Sequence, residues 1–201
     1  MTKRGTKREE QREARRNAII DAAEHVFAQK PFDKVSMREI ARRAGISPAL
    51  IYRYFPNQQH LFVAAFLRGV KELIPRLMSG GDGGRHPSIE EAAMRYLGYL
   101  IEREEYFKMM THFMLHGNMD EELIDSLNEI ERSVLEGFDR LFERKGAKKD
   151  VRMLSHAFFA ALNGILITYR QHPGRGPGEV RRHMENIGLV IARLFAAEIR
   201  A

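Results

Sequence analysis

The chain of 201 residues contains no cysteine and no long apolar run. Without cysteine there is no disulfide framework and no thiolate chemistry, which suits a reducing compartment. The N-terminus is basic and polar, and no stretch of about 18 residues is both apolar and free of charge, so the sequence predicts neither export nor a membrane span. We therefore expect a cytoplasmic protein.

The motifs of common enzyme classes are also missing. The sequence has no glycine-rich phosphate-binding motif and no nucleophile elbow. Acidic pairs such as Glu104 and Glu105 lie on polar helix faces, where we expect them to be solvated. The sequence therefore predicts a protein that is not an enzyme and needs no cofactor.

Positive charge is concentrated near the N-terminus. Residues 1–60 hold thirteen lysines and arginines against seven acidic residues, whereas the rest of the chain holds twenty of each. This is the pattern of a phosphate-binding module attached to a neutral body. With 44% hydrophobic residues, the chain is long enough to form one or two domains with a sizeable core.

Two helix starts and one helix end follow each other closely in this basic region. Ser36 followed by Glu39 is a capping box, which predicts a helix beginning at Ser36. Gly45 predicts its end, since glycine tolerates the left-handed backbone of a tight exit. Ser47 then predicts a second N-cap, with Pro48 at the first helical position. Two short helices joined by a tight turn form a helix-turn-helix, whose second helix can enter the major groove of DNA.

The second helix of this motif has two distinct faces. Ile51 and Phe55 are four residues apart and are predicted to pack inward. The side chains that face outward or lie along the rims are Pro48, Ala49, Leu50, Tyr52, Arg53 and Tyr54. Two tyrosines and an arginine on an open surface favour DNA contact. The alternative is an ordinary helical hairpin with both tyrosines half-buried.

The run from Ile19 to Phe62 resembles the DNA-binding domain of the TetR family of bacterial transcriptional regulators, above all in IARRAGISPALIYRYFPNQQHLF. The resemblance implies the DNA-contacting set Met37, Arg38, Ser47, Pro48, Ala49, Leu50, Tyr52, Arg53, Tyr54 and Gln58. The family usually has a lysine at the position of Gln58, and this lysine contacts a phosphate. The glutamine side chain keeps a hydrogen-bond donor for that contact but lacks the positive charge. Arg53 is the main candidate for reading a guanine, because its apolar neighbours can offer contacts only to thymine methyl groups.

Helical periodicity continues through the rest of the chain, and no segment alternates apolar and polar residues as a strand does. We predict an all-α protein of about nine helices, with a three-helix DNA-binding domain over residues 1–56. Residues 57–201 are predicted to form a larger helical domain for ligand binding and dimerisation. A disordered basic tail is expected over residues 1–15, either as a solvated extension or as an arm that contacts DNA.

Methionine and aromatic residues concentrate in two segments of the larger domain. The predicted ligand-binding residues are Tyr96, Met109, Met110, His112, Phe113, Met114, His116, Phe158, Phe159, Asn163 and Tyr169. Methionine adapts to irregular cavities, so this lining favours an apolar small molecule. An ordinary core is the alternative, and the resemblance favours the pocket. His112 and His116 also have the i, i+4 spacing of metal ligands, but a third ligand would have to come from elsewhere and we predict no metal.

The last two predicted helices, residues 150–171 and 179–200, carry more apolar surface than the core of one chain can absorb. The sequence therefore predicts a homodimer, and the resemblance implies an interface on these helices. The interface residues are expected to be Gly164, Ile187, Gly188, Ile191, Leu194 and Phe195.

The resemblance also implies a function. We expect a transcriptional repressor that binds a palindromic operator in double-stranded DNA and leaves it when a small apolar inducer binds. The alternative is a ligand-independent helical protein that binds DNA in an architectural role.

Overall fold

The computed structural model describes residues 3–79, 85–115 and 121–200, and these residues form helices and connecting turns without a strand. The elements in chain order are α1 (Lys3–Gln29), a 3-10 helix (Phe32–Lys34), α2 (Met37–Arg43), α3 (Pro48–Ile51), α4 (Gln58–Met78), α5 (Ile89–Glu102), α6 (Glu104–Leu115), α7 (Glu121–Arg144), α8 (Val151–Tyr169) and α9 (Pro177–Arg200). The prediction of an all-α chain of about nine helices is confirmed.

The chain divides into two compact units. The first unit contains Met1–Gly69 and Glu104–Leu127, and the second contains Val70–Arg103 and Asn128–Ala201. Helices α4 and α7 therefore contribute residues to both units, and α6 belongs to the first unit because it packs against α1. The boundary predicted from the sequence lies elsewhere, after residue 56 at the end of the helix-turn-helix. That boundary divides the chain by function, and it stays a prediction.

The apolar stripe of α1 lies at the centre of the first unit. Its buried residues have the spacing that predicts an amphipathic helix: Ile19, Ile20, Ala23, Val26 and Phe27. Helix α2 packs against α1, and α3 packs against α2. The ring of Phe27 meets that of Phe62 in α4 edge to face, with centroids 4.7 Å apart. These contacts give the helix-turn-helix a rigid apolar base.

Helix α1 begins earlier than the sequence predicts. It starts at Lys3, although the sequence predicts a disordered tail over residues 1–15. Residues 7–15 are exposed and present no apolar face. They consist of glutamate, glutamine, lysine, arginine and alanine, which have high intrinsic helix propensity, and the next residue, Arg16, pairs with Glu13 at 3.8 Å. Local propensity therefore accounts for this part of the helix.

A polar cluster around Glu24 holds α6 on α1 and α4. The Tyr106 hydroxyl donates to Glu24 Oε1 at 2.6 Å, and Arg68 forms ion pairs with Glu24 at 2.5 Å and Asp21 at 2.6 Å. Burial lowers the pKa of the Arg68 guanidinium, but its hydrogen bonds to these carboxylates and their charges raise it by more, so the net shift is upward. Gly69 lies against the Tyr106 ring, and a Cβ there would collide with it. The ring reaches Glu24 because residue 69 has no side chain.

Helix α4 passes through a proline and begins after Asn57, a residue type that predicts an N-cap. Asn57 Oδ1 accepts the His60 N–H at 3.0 Å. The sequence predicts a kink or stop at Pro75, but the helix continues to Met78. Because proline has no N–H, the carbonyl four residues earlier loses its helical partner within the last turns of α4.

In the second unit α5 packs against both α8 and α9. Ser88 and Glu91 have the spacing that predicts a capping box, and the box is confirmed, because Ser88 Oγ accepts the Glu91 N–H at 3.1 Å and Glu91 Oε2 accepts the Ser88 N–H at 2.6 Å. The hydrogen bond from the Ser88 N–H lowers the pKa of the Glu91 carboxyl. Gly188 of α9 is buried against α5, where a Cβ would collide with Leu97.

Helix α8 is the one described helix that is long and apolar enough to cross a membrane, judged by length and composition. Such a helix is weak evidence for a span, because the core helix of a globular unit has the same composition. Only 33% of the stretch is buried in the structure. A large part of its apolar surface is therefore left uncovered by the rest of the chain.

Candidate nucleic-acid interface

Local hydrogen bonds at the predicted caps build the helix-turn-helix. Ser36 Oγ accepts the Glu39 N–H at 3.2 Å, so α2 begins where the sequence predicts. The capping box is only half formed, since the Glu39 carboxylate binds Lys30 Nζ at 2.6 Å. At the other end of α2, Gly45 adopts a φ of 66°, the left-handed backbone expected at this turn.

Helix α3 is short, and its inner face fixes its orientation. Ser47 Oγ accepts the Leu50 N–H at 3.2 Å, so this hydroxyl is engaged as a cap, and Pro48 follows at the first position. A turn continues the chain to Phe55, whose N–H donates to the Ile51 carbonyl at 3.0 Å. Ile51 and Phe55 are 0% and 3% exposed. The opposite face of α3 therefore points to solvent.

That opposite face carries most of the predicted contact residues. Pro48, Ala49, Tyr52 and Arg53 are exposed, and Leu50 and Tyr54 are half-buried. Tyr52 exposes 52% of its surface, which departs from the hairpin alternative with two half-buried tyrosines. A phenol on an open surface can donate its O–H to a phosphate oxygen.

Four arginines of the helix-turn-helix are exposed: Arg38, Arg42, Arg43 and Arg53. Within the described residues none of them forms an ion pair. A guanidinium without a carboxylate partner keeps its charge available for a phosphate or a base edge. The sequence prediction missed Arg42 and Arg43, although Arg42 follows Arg38 by four residues and so shares a face of α2 with it.

Two predicted contact residues have other roles. Met37 is 6% exposed because it is buried with Ile40 and Ala41 on the inner side of α2, so its contact with DNA stays a prediction that its burial does not support. Gln58 Nε2 donates to the Phe32 carbonyl at 2.5 Å. The Gln58 amide thus joins α4 to the 3-10 helix and spends one of its two N–H donors there, so the phosphate contact expected at this position stays a prediction.

The predicted ligand residues are divided between the two units. Members in the first unit are Met109, Met110 and His112, and members in the second unit are Tyr96, Phe158, Phe159, Asn163 and Tyr169. His116 and the side chains of Phe113 and Met114 lie outside the described part of the structure. No sequence pattern indicates this division, which arises because α6 packs with α1.

In the second unit two of these residues share a buried hydrogen bond. The Tyr96 hydroxyl donates to Asn163 Oδ1 at 2.7 Å, and the two residues are 1% and 3% exposed. Burial raises the pKa of the Tyr96 hydroxyl, and the hydrogen bond to Asn163 opposes that shift. Phe159 lies edge to face with Tyr96, with ring centroids 6.1 Å apart. Tyr169 packs against a different ring, that of His183, at 4.9 Å.

Three buried polar atoms of the second unit make no hydrogen bond within the described residues: Asn163 Nδ2, Ser155 Oγ and Asp139 Oδ1. A buried polar group without a partner costs about 1–3 kcal/mol, so each such atom needs an explanation. Asn163 is bonded through its other polar atom to Tyr96 of the predicted set. Its unused N–H groups can donate to an acceptor atom of a bound molecule.

His112 packs among aromatic rings of the first unit. Its ring centroid is 4.7 Å from that of Phe32 and 5.4 Å from that of Phe62. Across the described ranges there is no group of three or more histidine, aspartate or glutamate side chains that could hold a metal ion. His112 therefore contributes to an aromatic surface, and its predicted partner His116 lies outside those ranges.

Comparison with known proteins adds family information for the region of the interface. Residues 19–65 match the family model for bacterial regulatory proteins of the tetR family. The chain is 46% identical over 50 residues to the HTH-type transcriptional regulator BetI of Rhizobium meliloti, a match that covers 25% of each chain. It is 42% identical over 60 residues to the HTH-type transcriptional repressor KstR of Mycolicibacterium smegmatis, which covers 30% of this chain and 29% of KstR.

These matches span well under half the length of either relative, and beyond them the similarity is one of fold. The structure of the transcriptional regulator FadR from Bacillus subtilis in complex with stearoyl-CoA has a TM-score of 0.72 at 19% identity, and the alignment covers 89% of this chain and 96% of FadR. The curated relatives are named as regulators, which agrees with the prediction that the chain is not an enzyme.

Proposed function

Since the chain belongs to the TetR family of bacterial regulatory proteins, we propose that it is a homodimeric transcriptional repressor that leaves its operator when a small apolar molecule binds. The observation that carries this proposal is the solvent-facing side of α3, together with four exposed arginines that lack carboxylate partners in the described residues. Binding to chromosomal DNA agrees with a cytoplasmic location.

In this proposal α3 enters the major groove. Arg53 donates two hydrogen bonds to a guanine edge, and Pro48 and Ala49 contact thymine methyl groups. Tyr52 and the arginines of α2 bind phosphates, which hold the protein in register without reading sequence. Each phosphate contact releases counterions, so binding should weaken steeply as the salt concentration rises.

An exposed apolar surface on α8 and α9 supports the dimer. Met153 and Ile167 of α8 are 68% and 48% exposed, and Val190 and Leu194 of α9 are 54% and 61% exposed. We call these four residues the α8–α9 apolar surface. Apolar patches on a protein surface are usually covered by a partner, and a second copy can bury the same residues through a twofold axis.

Two residues predicted for the interface face the core of their own chain. Gly188 is buried against Leu97, and the ring of Phe195 packs on that of Phe158 with centroids 5.0 Å apart. We therefore leave these two residues out of the interface that we propose. The interface that we propose comprises Met153, Gly164, Ile167, Ile187, Val190, Ile191 and Leu194.

We propose that the effector binds in the second unit beside Asn163. The support is the unpaired Asn163 Nδ2, the buried Tyr96 hydroxyl and the adjacent Phe159 ring. FadR, which has a similar fold, was solved with stearoyl-CoA. A ligand with an apolar body and one acceptor such as a carbonyl or thioester oxygen would satisfy both the rings and the amide.

The mechanism is a shift between two populations of the dimer. In the DNA-binding population the two α3 helices are about 35 Å apart and meet successive major grooves. The effector stabilises a population in which that spacing differs, and it can shift the equilibrium by no more than its difference in affinity for the two populations.

DNA binding is tested by fluorescence anisotropy with the region upstream of the protein's own gene and with a scrambled fragment of equal length. We expect tight, salt-dependent binding to the first fragment and weaker binding to the second. Equal binding to both fragments, unaffected by any small molecule, would favour the ligand-independent architectural role.

The effector is sought by thermal shift with fatty acyl thioesters, fatty acid methyl esters and aromatic esters, because a ligand of the folded state raises the melting temperature. A compound that raises it should also release the upstream fragment. The variant Asn163→Leu should lose both responses and keep DNA affinity. If Asn163→Leu responds as the parent protein does, the effector binds elsewhere.

A further inference from the structure

A cleft of about 650 Å³ lies within the first unit, apart from the residues proposed for the effector. It is formed by the end of α1, the 3-10 helix, the start of α4, and α6. The lining residues are Phe27, Gln29, Lys30, Pro31, Phe32, Asp33, Phe62, Lys108, Met109, Thr111 and His112. We call this cavity the aromatic cleft. Its volume is in the range of small-molecule sites, which is about 300–1,000 Å³.

Flat rings form the apolar part of the aromatic cleft. Phe32 is the central ring, with centroids 4.8 Å from Phe62 and 4.7 Å from His112. The ring centroids of Phe27 and Phe62 are 4.7 Å apart, and Met109 adds a deformable thioether to the lining. Phe27, Phe62 and Met109 are buried, so the wall is fixed by the core of the unit. Such a surface suits an aromatic ring or a short acyl chain.

Two lysines provide the charged part of the aromatic cleft. Lys30 Nζ contacts Glu39 Oε1 at 2.6 Å, and Lys108 Nζ donates to the Ala28 carbonyl at 2.6 Å and contacts Glu104 Oε1 at 3.1 Å. An ammonium has three N–H donors, so these contacts leave donors on both lysines.

Of the two carboxylates that contact these lysines, Glu39 is 23% exposed and stays with Lys30, whereas Glu104 competes weakly with a ligand. Glu104 is more than half exposed, and exposed ion pairs of this kind contribute little stability. Asp33 is the one acidic residue that lines the cleft, and its carboxylate contacts Lys34 at 3.6 Å. The polar part of the cleft is therefore matched to an anion that can accept hydrogen bonds from an ammonium.

We propose that the aromatic cleft is a second binding site, for a small monocarboxylate with an aromatic ring or short acyl chain. The ring or chain packs on Phe32, Phe62 and His112, and the carboxylate accepts hydrogen bonds from Lys30 or Lys108. This ligand class differs from the uncharged acceptor that Asn163 suits in the second unit, so the two sites select different molecules.

The test uses the full-length protein with methyl-¹³C methionine and 3-phenylpropionate as the probe. The Met109 methyl signal reports on the cleft, and the Met153 methyl signal is the control, because Met153 is 68% exposed and lies in the second unit. We expect saturable shifts of Met109 and none of Met153. The uncharged amide, 3-phenylpropanamide, should cause smaller shifts at equal concentration.

Charge variants decide whether the lysines hold the carboxylate. Lys30→Gln with Lys108→Gln should weaken binding about tenfold, the size of one charge-assisted contact. Lys148→Gln with Lys149→Gln removes the same charge from exposed positions outside the cleft and should leave affinity unchanged. A Met109 signal that does not respond to 3-phenylpropionate, or equal affinity in the two double variants, would overturn the proposal. Retention of binding in Asn163→Leu separates this site from the proposed effector cavity.

Discussion

Arg53 is the side chain on which the sequence specificity of the proposed DNA interface depends. It is exposed, and the neighbouring Pro48 and Ala49 offer no hydrogen bonds. We expect Arg53→Ala to weaken operator binding by about 1–3 kcal/mol and to affect random DNA much less. Arg42→Ala is the matched control, because a phosphate contact is lost equally on both DNAs. Anisotropy titrations at one salt concentration measure the affinity of each variant for the operator and for random DNA. Equal losses for Arg53→Ala on both DNAs would make Arg53 a backbone contact.

Tyr96 supports the second unit through its hydroxyl. Tyr96→Phe leaves Asn163 Oδ1 buried without its donor, and we expect the free energy of unfolding to fall by about 1–3 kcal/mol. Tyr169→Phe is the control, because the Tyr169 hydroxyl makes no hydrogen bond within the described residues. Urea denaturation compares the two variants. An unchanged midpoint for Tyr96→Phe would show that water replaces the tyrosine hydroxyl at Asn163.

Residue roles are only partly predictable from the sequence. The exposure of Tyr52 and Arg53 follows from helical spacing relative to Ile51 and Phe55. The burial of Met37 does not follow from the family resemblance, because a motif position gives no information about which way a flexible apolar side chain turns. The role of Gln58 could not be predicted either. Its partner is a backbone carbonyl in the 3-10 helix, and no sequence pattern indicates that contact.

At the scale of the element, the contact of α6 with α4 depends on Gly69. Gly69→Ala places a Cβ against the Tyr106 ring, which is buried and tied to Glu24 by a 2.6 Å hydrogen bond, so the ring cannot move aside without losing that bond. We expect a loss of about 1–3 kcal/mol in unfolding free energy. Gly98→Ala in α5 has open space around its Cβ position and should stabilise by up to about 1 kcal/mol.

Thermal and urea unfolding distinguish these glycine variants. If Gly69→Ala is as stable as the parent protein, α6 can shift on α4 at no cost. A destabilised Gly98→Ala would instead show that helix propensity does not govern α5 at that position.

Helix ends could be predicted well because their signals are local. The caps at Ser36, Ser47, Asn57 and Ser88 are all confirmed. The second half of the first capping box could not be predicted, since the competing partner of Glu39 is Lys30 from a different helix. Helix α1 also starts early because its charged first turns need no packing.

At the scale of the whole molecule, the proposed dimer depends on the α8–α9 apolar surface. Leu194 is 61% exposed in the single chain, so Leu194→Glu should preserve the fold. In a dimer it buries a charge without a partner, and we expect monomers in analytical ultracentrifugation together with loss of operator binding. Arg182→Glu changes charge at another exposed position of α9 and should remain dimeric. A dimeric Leu194→Glu would place the interface elsewhere.

The arrangement of the predicted ligand residues could not be derived from the sequence. Helical periodicity identifies the apolar faces of α6 and α8 but not the unit in which each is packed. Met109 and His112 therefore line the aromatic cleft, whereas Tyr96 and Asn163 share a hydrogen bond in the other unit.

The exposed arginines also affect the protein when no DNA is bound. Like charges that lack carboxylate partners repel one another, and this repulsion destabilises the compact state of the first unit. Dissolved ions screen the repulsion over about 10 Å at 0.1 M salt. Moderate salt should therefore raise the melting temperature of the free protein while it weakens the complex with DNA. Because one set of charges causes both effects, replacing Arg42 and Arg43 with glutamine should reduce the two salt dependences together.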